Sequence, residues 1–320
     1  MPPHPNPLPK GEREQSEFAA TAAHEMTQFT LDQLNTLPAA DFTAALADIY
    51  EHSSWVAEAA AKQRPYPSLN ALHEAMVAVV KAAPADARMK LITAHPDLAG
   101  KAARAGALTK DSTNEQLSAG LDRLSETDYA RFHQLNDAYK AKFGIPFIVC
   151  VRRHTKDSIL AEFERRLAQG SADEIETALG EIFRIGALRL DQRVSAPDKL
   201  PIAGRLSTHV LDTHSGRPAK GVAVELWELS RDGAERLIVK TVTNKDGRTD
   251  APLIGGRPVP KGTYELRFGI GAYFQNRAVP LADPPFLDVV PIRFGVAEPE
   301  GHYHVPISAS PWAYGTYRGS

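Results

Sequence analysis

The segment "VSAPDKLPIAG", Val194–Gly204, decides how the chain is organised. It contains two prolines and no apolar period, which is typical of a linker. Apolar residues before it recur with helical spacing, and those after it alternate as in strands. The 320 residues also suffice for two domains. We therefore predict an all-α domain at residues 26–193, a linker at 194–203 and an antiparallel β-sandwich at 204–320.

The helical period is clearest in three segments before the linker. Each places apolar residues on one face of a helix: Phe132, Leu135 and Tyr139; Leu160, Phe163 and Leu167; Ile175, Leu179, Ile182 and Ile185. The region holds about seven or eight such helices. Ser171, followed by an acidic turn, is the predicted N-cap of the last helix.

The period changes to two beyond the linker. Val222, Val224 and Leu226 point to one face, and their neighbours point to the other. Turn motifs such as "SGRP", "RDG", "NKDG" and "PKG" separate strands of this kind, which predicts a sandwich. The segment "GIGAYFQNR" is expected to form one short helix.

Bulk composition excludes several classes of protein. The net charge is −2, which disfavours nucleic acid and anionic membranes as partners. No apolar run reaches the roughly 18 residues that a membrane helix needs. Cys150 is the single cysteine, which fits a cytoplasmic location. Residues 1–25 are rich in proline and charge, so we expect them to be disordered, with Met26 as the natural start.

Four residues of the C-terminal half attract attention. His209 lies within an alternating stretch, Arg248 lies on a turn, and His302 and His304 are two residues apart on one face. A lone strand histidine is usually structural, and a turn arginine is usually solvated. The three histidines together also leave a zinc site open as an alternative.

The stretches "LSTHVLDTHSGRPA" and "HYHVPISASPWAYGTYRGS" resemble 5-hydroxyisourate hydrolase, a transthyretin-like enzyme, over residues 204–320. The resemblance implies that the terminal "YRGS" folds into the active site. It also implies a homotetramer with sites at a subunit interface. The residues implied as catalytic are His209, Arg248, His304 and Ser320, and those implied to bind substrate are His209, Arg248 and Tyr317.

The implied chemistry suits these side chains. A neutral histidine can accept a proton from water near pH 7, and Arg248 can hold developing negative charge. The sequence leaves open whether His209 or His304 is the base. A transthyretin-like carrier that binds without turnover is the alternative, but the resemblance implies that carriers lack the histidines, the arginine and the "YRGS" ending.

The N-terminal half contains a second histidine of interest. His95 precedes Pro96, so we expect it where a helix ends, although a helix-end histidine can simply stabilise the dipole. In "STNEQLSAGLD", Ser112 or Thr113 has capping-box spacing to Glu115 or Gln116, which would place these acceptors in the first turn. Residues 147–151 are apolar and expected to be extended, either lining a cavity or filling the core.

The motifs "HPDLAG", "STNEQLSAGLD", "FGIPFIVCV" and "ERRL" resemble 2-oxo-4-hydroxy-4-carboxy-5-ureidoimidazoline (OHCU) decarboxylase, an all-α enzyme, over Phe29–Asp191. The resemblance implies His95 and Glu115 as catalytic, and Arg166, or adjacent Arg165, as the partner of the substrate carboxylate. The other implied substrate contacts are Pro96, Ser112, Thr113, Asn114, Glu115, Gln116, Phe147, Ile148, Val149, Cys150 and Val151.

The two resemblances are connected, because the implied hydrolase product is the implied decarboxylase substrate. We therefore expect a bifunctional enzyme of urate degradation that converts 5-hydroxyisourate through OHCU to (S)-allantoin. Its expected partners are these small molecules and further copies of the chain. Neither resemblance implies a metal or another cofactor.

We predict that the chelator EDTA leaves both reactions unchanged, because histidines and arginine suffice for the implied chemistry. Ultraviolet absorbance of 5-hydroxyisourate and the circular dichroism of allantoin measure the two steps. Loss of either activity with EDTA and its recovery with zinc would favour the zinc alternative.

Overall fold

The computed structural model describes residues 28–99, 108–277 and 279–319. The described N-terminal part contains nine α-helices, slightly more than expected. They are α1 Leu31–Thr36, α2 Ala39–Leu46, α3 Ser54–Ala61, α4 Leu69–Ala82, α5 Ala85–Thr93, α6 Lys110–Ser118, α7 Glu126–Phe143, α8 Lys156–Leu167 and α9 Ser171–Arg193. A 3₁₀ turn, Val151–Arg153, precedes α8. The expected disorder of residues 1–25 and the start at Met26 lie outside the described residues.

The predicted apolar stripes pack together in one core. Phe132, Leu135 and Tyr139 of α7 are buried, as is Phe163 of α8. The rings of Phe147 and Phe163 stack with their centroids 3.6 Å apart. This core is separate from the one formed after residue 204, which supports the division into a helical part and a β part.

Two predicted helix starts are wrong. Helix α9 begins at Ser171 with Gly170 as its N-cap, so the cap lies one residue earlier than expected. Helix α6 begins at Lys110, and Thr109 caps it by accepting a hydrogen bond from the Ser112 amide. Thr109 and Ser112 have the same spacing as the predicted caps and their partners. Because Thr109 comes earlier in the chain and accepts from a free amide, the helix begins before the predicted caps.

The β part is rich in strands, as predicted. Its strands are β3 Gly204–Ser207, β4 Val210–Asp212, β5 Arg217–Pro218, β6 Ala223–Leu229, β7 Glu235–Val242, β8 Ile254–Arg257, β9 Gly262–Gly269, β10 Val289–Val296, β11 His302–His304, β12 Ile307–Ala309 and β13 Tyr314–Thr316. The sheets run β10-β9-β6-β7, β11-β3-β8 and β13-β12-β4-β5.

Most strand pairs are antiparallel, but β11 pairs with β3 and β12 with β4 in parallel. Val222, Val224 and Leu226 are all fully buried, which confirms the predicted alternation. The expected short helix is α10, Ile270–Gln275. No helix among the described residues is both long and apolar enough to span a bilayer.

The predicted linker packs against the helical part. Strand β2, Val194–Ser195, pairs in parallel with β1, Phe29–Thr30. The carboxylate of Asp198 accepts hydrogen bonds from the amides of Leu69 and Asn70 at the start of α4. Leu200 joins the helical core. These contacts restrict the segment well beyond what its two prolines indicate.

A backbone seam joins the two parts. The Thr155 amide donates to the Lys261 carbonyl at 3.1 Å, and the Lys261 amide donates to the Arg153 carbonyl at 2.8 Å. The Thr155 hydroxyl donates to the same Lys261 carbonyl at 2.8 Å. These three hydrogen bonds fix the segment that precedes α8 against Lys261, the residue just before β9.

Charged side chains extend this seam. Arg153 forms a two-point ion pair with Glu300, at 2.6 and 2.8 Å. The ammonium of Lys156 lies between Asp128 of the helical part, at 2.8 Å, and Asp232 of the β part, at 2.9 Å. A planar guanidinium pairing through two nitrogens fixes direction as well as distance.

We predict that Gly262→Ala destabilises the protein by about 1–3 kcal/mol, because a methyl group there overpacks the seam. The new Cβ would lie 2.6 Å from Cγ2 of Thr155. Thr155 cannot readily turn away, since its hydroxyl bonds both Lys261 and Ser158. Calorimetric unfolding measures the effect.

Gly295→Ala in β10 is the matched control, because a Cβ at Gly295 meets nothing within 4 Å. We expect this control to unfold at or slightly above the wild-type temperature. Equal unfolding temperatures for the two variants would contradict close packing at the seam.

Candidate active sites

Strand pairing in the β part brings two histidines together. Parallel pairing of β11 with β3 places His304 opposite Ser207. The amide of Ile307 donates to the His209 carbonyl, which aligns the start of β12 with the start of β4. Nδ1 of His209 and Nε2 of His304 are 2.7 Å apart, and their rings stack with centroids 4.9 Å apart. This short distance requires one of the two nitrogens to carry a hydrogen.

Arg248 lies beside this pair, as the sequence predicted. It forms an antiparallel bridge with His209, while the amide of Val210 donates to the Gly247 carbonyl. Gly247 has φ +69°, and a Cβ there would lie 2.4 Å from the Val210 carbonyl oxygen. Only glycine fits so close an approach, so the turn holds Arg248 at this place.

Both histidines are kept neutral. Burial and the nearby Arg248 charge lower the pKa of His209. Burial, followed by the neighbouring His209, Arg248 and His302, lowers the pKa of His304. A histidine with a lowered pKa carries a free lone pair near pH 7 and can act as a base.

The C-terminal segment lies against His304. The Gly319 amide donates to the His304 carbonyl at 2.8 Å. A Cβ on Gly319 would lie 2.7 Å from the imidazole Cδ2, so the ring and the tail are in contact. The side chain of Tyr317 is 62% exposed in the single chain. Ser320 lies outside the described residues, so its expected role stays a prediction.

The geometry of the histidines does not match the zinc alternative. Zinc–nitrogen distances are about 2.0–2.1 Å, so a tetrahedral ion needs more than the 2.7 Å between the facing nitrogens of His209 and His304. His302 is exposed and lies 3.5 Å from the Ser207 hydroxyl. The part of the chain described here contains no group of three metal-binding side chains.

The second site surrounds a small cavity of about 30 Å³ in the helical part. Eleven residues line it: His95, Pro96, Leu98, Ser112, Glu115, Gln116, Phe147, Ile148, Val149, Val151 and Ile185. Nine of these are residues that the sequence predicted; the other two are Leu98 and Ile185. A volume of this size holds about one water molecule, so the walls must separate before a substrate enters.

His95 follows the end of α5, as expected. Its Nδ1 lies 3.0 Å from the Leu91 carbonyl oxygen. A carbonyl can only accept, so Nδ1 carries the hydrogen and Nε2 holds a lone pair. Burial lowers the pKa of His95 to about 4, against the Leu91 hydrogen bond. The residue is therefore a neutral base at pH 7, and its helix-end position does not by itself stabilise a dipole.

An arginine between two carboxylates orients the acidic side of the cavity. Arg189 donates to Glu115 through Nε and Nη2, at 2.8 and 3.0 Å. Its Nη1 donates to Glu51 at 2.8 Å. Burial would raise the pKa of Glu51, but the Arg189 charge and hydrogen bonds from Thr109 and Arg189 lower it overall. Both edges of the guanidinium are thus engaged, and Glu115 is held in the cavity that His95 also lines.

Helix α6 turns only part of the predicted "STNEQ" segment toward this site. Ser112, Glu115 and Gln116 are spaced i, i+3 and i+4, and all three are buried. Thr113 and Asn114 are exposed on the opposite face. The prediction that these two residues contact substrate therefore does not match the structure, because one helix face cannot present all five side chains.

The predicted extended segment forms one wall. Cys150 is fully enclosed and does not line the cavity, and its amide donates to Glu181 at 2.8 Å. The Ile148 carbonyl accepts a hydrogen bond from Arg166. Ile148, Val149 and Val151 line the cavity beside Phe147.

The structure does not place Arg166 in the cavity. Its side chain is fully buried and paired with Glu174 and Tyr139. Its guanidinium also lies 4.5 Å from the Phe147 ring centroid. Arg165 is on the exposed face with Glu162. The expectation that either residue contacts the substrate carboxylate is therefore wrong for this structure, since helix α8 directs both away.

Sequence reasoning missed Glu51, Arg189 and Ser207. Arg189 gave a signal, because it continues the apolar stripe of α9 seven residues after Ile182 and four after Ile185. A charge at such a position must be paired inside the protein. Glu51 and Ser207 gave no comparable signal.

Comparisons with known proteins identify a family for each part of the chain. Residues 35–191 match the family described as OHCU decarboxylase, and residues 206–319 match the HIUase/transthyretin family. The 5-hydroxyisourate hydrolase 2 of Rhizobium meliloti (strain 1021) is 53% identical over 119 residues, which are 37% of this chain and 98% of that protein.

Two further relatives extend the match. A 2-oxo-4-hydroxy-4-carboxy-5-ureidoimidazoline decarboxylase of Haloferax volcanii is 40% identical over 171 residues, 53% of this chain and 99% of that protein. The crystal structure of an (S)-allantoin synthase, 35% identical with a TM-score of 0.50, covers 91% of this chain and all of that one.

Two features define the class of this protein. A helical part contains a buried histidine site, and the transthyretin-like β part that follows it contains a histidine pair. The chain belongs to the OHCU decarboxylase family through its N-terminal part and to the HIUase/transthyretin family through its C-terminal part.

We predict that Arg189→Met destabilises the protein by about 3–5 kcal/mol at pH 7, because Glu51 and Glu115 then stay buried without the cation that pairs with them. The loss should shrink as pH falls. Without Arg189 the Glu51 pKa is no longer held down, so the variant relieves its repulsion by protonation at a higher pH than the wild type. Urea unfolding at several pH values measures both effects.

Arg193→Met, one helical turn later, is the control. Its partner Asp48 is 60% exposed and regains water when the ion pair is lost. We expect a change of about 0–1 kcal/mol. A loss of stability for Arg189→Met no larger than for this control would contradict the buried pairing of Arg189 with Glu51 and Glu115.

Proposed function

We propose that this chain catalyses two consecutive steps of urate degradation. The β part hydrolyses 5-hydroxyisourate to OHCU, and the helical part decarboxylates OHCU to (S)-allantoin. The observation that carries the proposal is the presence, in one chain, of a neutral histidine site in each of the two family regions. The names of the relatives supply the two substrates.

For hydrolysis, we propose His209, Arg248 and His304 as the catalytic set, with Tyr317 and Ser320 completing the site. A neutral histidine accepts a proton from water, and the hydroxide attacks the carbonyl carbon of the ring amide. The carbon–nitrogen bond then breaks, and the leaving nitrogen takes up the proton. The exposed Arg248 guanidinium holds the oxygen on which negative charge develops.

For decarboxylation, we propose His95 and Glu115 as the catalytic pair. The bond to the carboxylate breaks, CO₂ leaves, and its electron pair moves into the adjacent C=N group, whose nitrogen takes up a proton from solvent. The resulting enol loses its hydroxyl proton while the neighbouring carbon gains one. Nε2 of His95 can accept the hydroxyl proton and deliver it to one face of the ring.

Two features support selectivity in this second step. In the proposal, the substrate is enclosed by Pro96, Ser112, Gln116 and the wall at 147–151. The side-chain Oε1 of Gln116 accepts from the Ala99 amide at 3.0 Å, which ties the segment after His95 to α6. A wall fixed on both sides leaves one face of the ring open to the histidine.

We further propose domains at 26–193 and 204–320, a homotetramer formed by the β part, and a cytoplasmic location. Exposed apolar side chains support the tetramer: Leu237, Val242, Val289, Trp312, Tyr314 and Tyr317. Such residues are typical of surfaces that a partner covers. The buried, unpaired Cys150 agrees with a reducing compartment.

We predict that His95→Ala abolishes stereoselective decarboxylation and leaves hydrolysis near wild type, and that His209→Ala has the reverse effect. Loss of a positioned acid–base group costs about 10²–10⁴ in rate. The assay generates 5-hydroxyisourate from urate in situ and follows ultraviolet absorbance and circular dichroism together.

His133→Ala is the control, because this partly exposed histidine pairs only loosely with Asp137 on the surface, at 3.6 Å. It should retain both activities. Racemic allantoin at the uncatalysed rate from the wild type would leave a binding protein of the transthyretin kind. Loss of both activities in folded His95→Ala would contradict two separate sites.

A further inference from the structure

Ser207 occupies a position between two histidines of the hydrolase site. It ends strand β3 opposite His304 of β11, and it is 8% exposed. Its hydroxyl oxygen lies 2.9 Å from Nδ1 of His304 and 3.5 Å from Nε2 of His302. The other nitrogen of His304 faces His209 at 2.7 Å. Ser207, His304 and His209 thus form a continuous chain of polar contacts.

The Ser207 hydroxyl has two imidazole neighbours and a single hydrogen. Donation of that hydrogen to His302 leaves its oxygen to accept from Nδ1–H of His304. In this arrangement the Ser207 hydroxyl selects the Nδ1–H form of His304.

This form determines the rest of the chain. With hydrogen on Nδ1, Nε2 of His304 holds a lone pair and must accept from Nδ1–H of His209. Nε2 of His209 is then the unprotonated nitrogen at the end of the chain. It is the atom placed to take a proton from water, and the sequence left this choice between His209 and His304 open.

We propose that Ser207 is a positioning residue for hydrolysis, which selects the tautomers of His304 and His209 and makes Nε2 of His209 the base. The proposal rests on the proposed hydrolase function. In the step, the water O–H bond breaks, its proton moves to Nε2 of His209, and its oxygen bonds to the substrate carbonyl carbon. His304 shares the positive charge through its contact with Nδ1 of His209, and Ser207 holds His304 in place.

The test compares Ser207→Ala with Ser207→Thr, which keeps the hydroxyl and suits a strand. We expect Ser207→Ala to lower kcat/KM for hydrolysis about tenfold, as for a lost hydrogen bond. The acid limb of the pH profile of kcat/KM should also move to lower pH in Ser207→Ala. The protonated pair of His304 and His209 loses a hydrogen-bond acceptor there, so its pKa falls. Ser207→Thr should retain the wild-type profile, and decarboxylation should be unchanged in both variants.

A second measurement needs no turnover. A titration of the imidazole Cε1 protons by nuclear magnetic resonance should show a lower pKa for His304 in Ser207→Ala than in the wild type. A wild-type chain without hydrolysis would refute the proposed function, and this titration would still test the contact with Ser207.

Three results would overturn the role of Ser207. The first is an unchanged hydrolysis rate and pH profile in Ser207→Ala. The second is a lower hydrolysis rate in Ser207→Ala with an unchanged pH profile and an unchanged His304 titration. The third is equal impairment of hydrolysis in Ser207→Thr and Ser207→Ala. The second would describe a residue that only supports the strand.

Discussion

A guanidinium buried within an apolar helix stripe determines the arrangement of the helical part. Arg189 is 4% exposed and lies on the same face of α9 as Ile182 and Ile185. An unpaired charge in such a place costs several kcal/mol, so carboxylates must lie at both edges of its fork. Glu51 and Glu115 meet this requirement from two distant segments. The orientation of Glu115 in the cavity that His95 also lines is therefore a consequence of how the helices bury a charge.

The same constraint connects the cavity wall to the rest of the molecule. Arg166, also fully buried, binds the Ile148 carbonyl from behind the wall. The wall ends at Val151, and Arg153 follows it with its ion pair to Glu300. Glu300 precedes strand β11, which carries His304. The two proposed sites thus lie on either side of one seam, and that seam fixes the segments that lead into both.

The sequence predicted the two parts, their stripes and most lining residues, because these depend on local period and on recognisable motifs. It predicted Ser112, Glu115 and Gln116 as site residues, and these line the cavity, but it misplaced the start of α6, since Thr109 and Ser112 share the same capping spacing. The family resemblance implied Arg166 as a substrate contact, but a short motif does not record which side of a helix faces a cavity. The pairing of β11 with β3 joins residues 97 positions apart in the chain. No local pattern records such a register.

Both sites solve one problem of acid–base chemistry with different folds. A histidine base must be neutral at the working pH, and one specified nitrogen must be free. In the helical part, burial lowers the pKa of His95 and the Leu91 carbonyl occupies Nδ1. In the β part, burial and Arg248 lower the pKa of His209, and His304 occupies its Nδ1. A backbone carbonyl within a helix end provides in one case what a second histidine provides in the other. Because a helix can supply its own acceptor four residues earlier and a strand cannot, the β part needs an additional side chain to fix the tautomer.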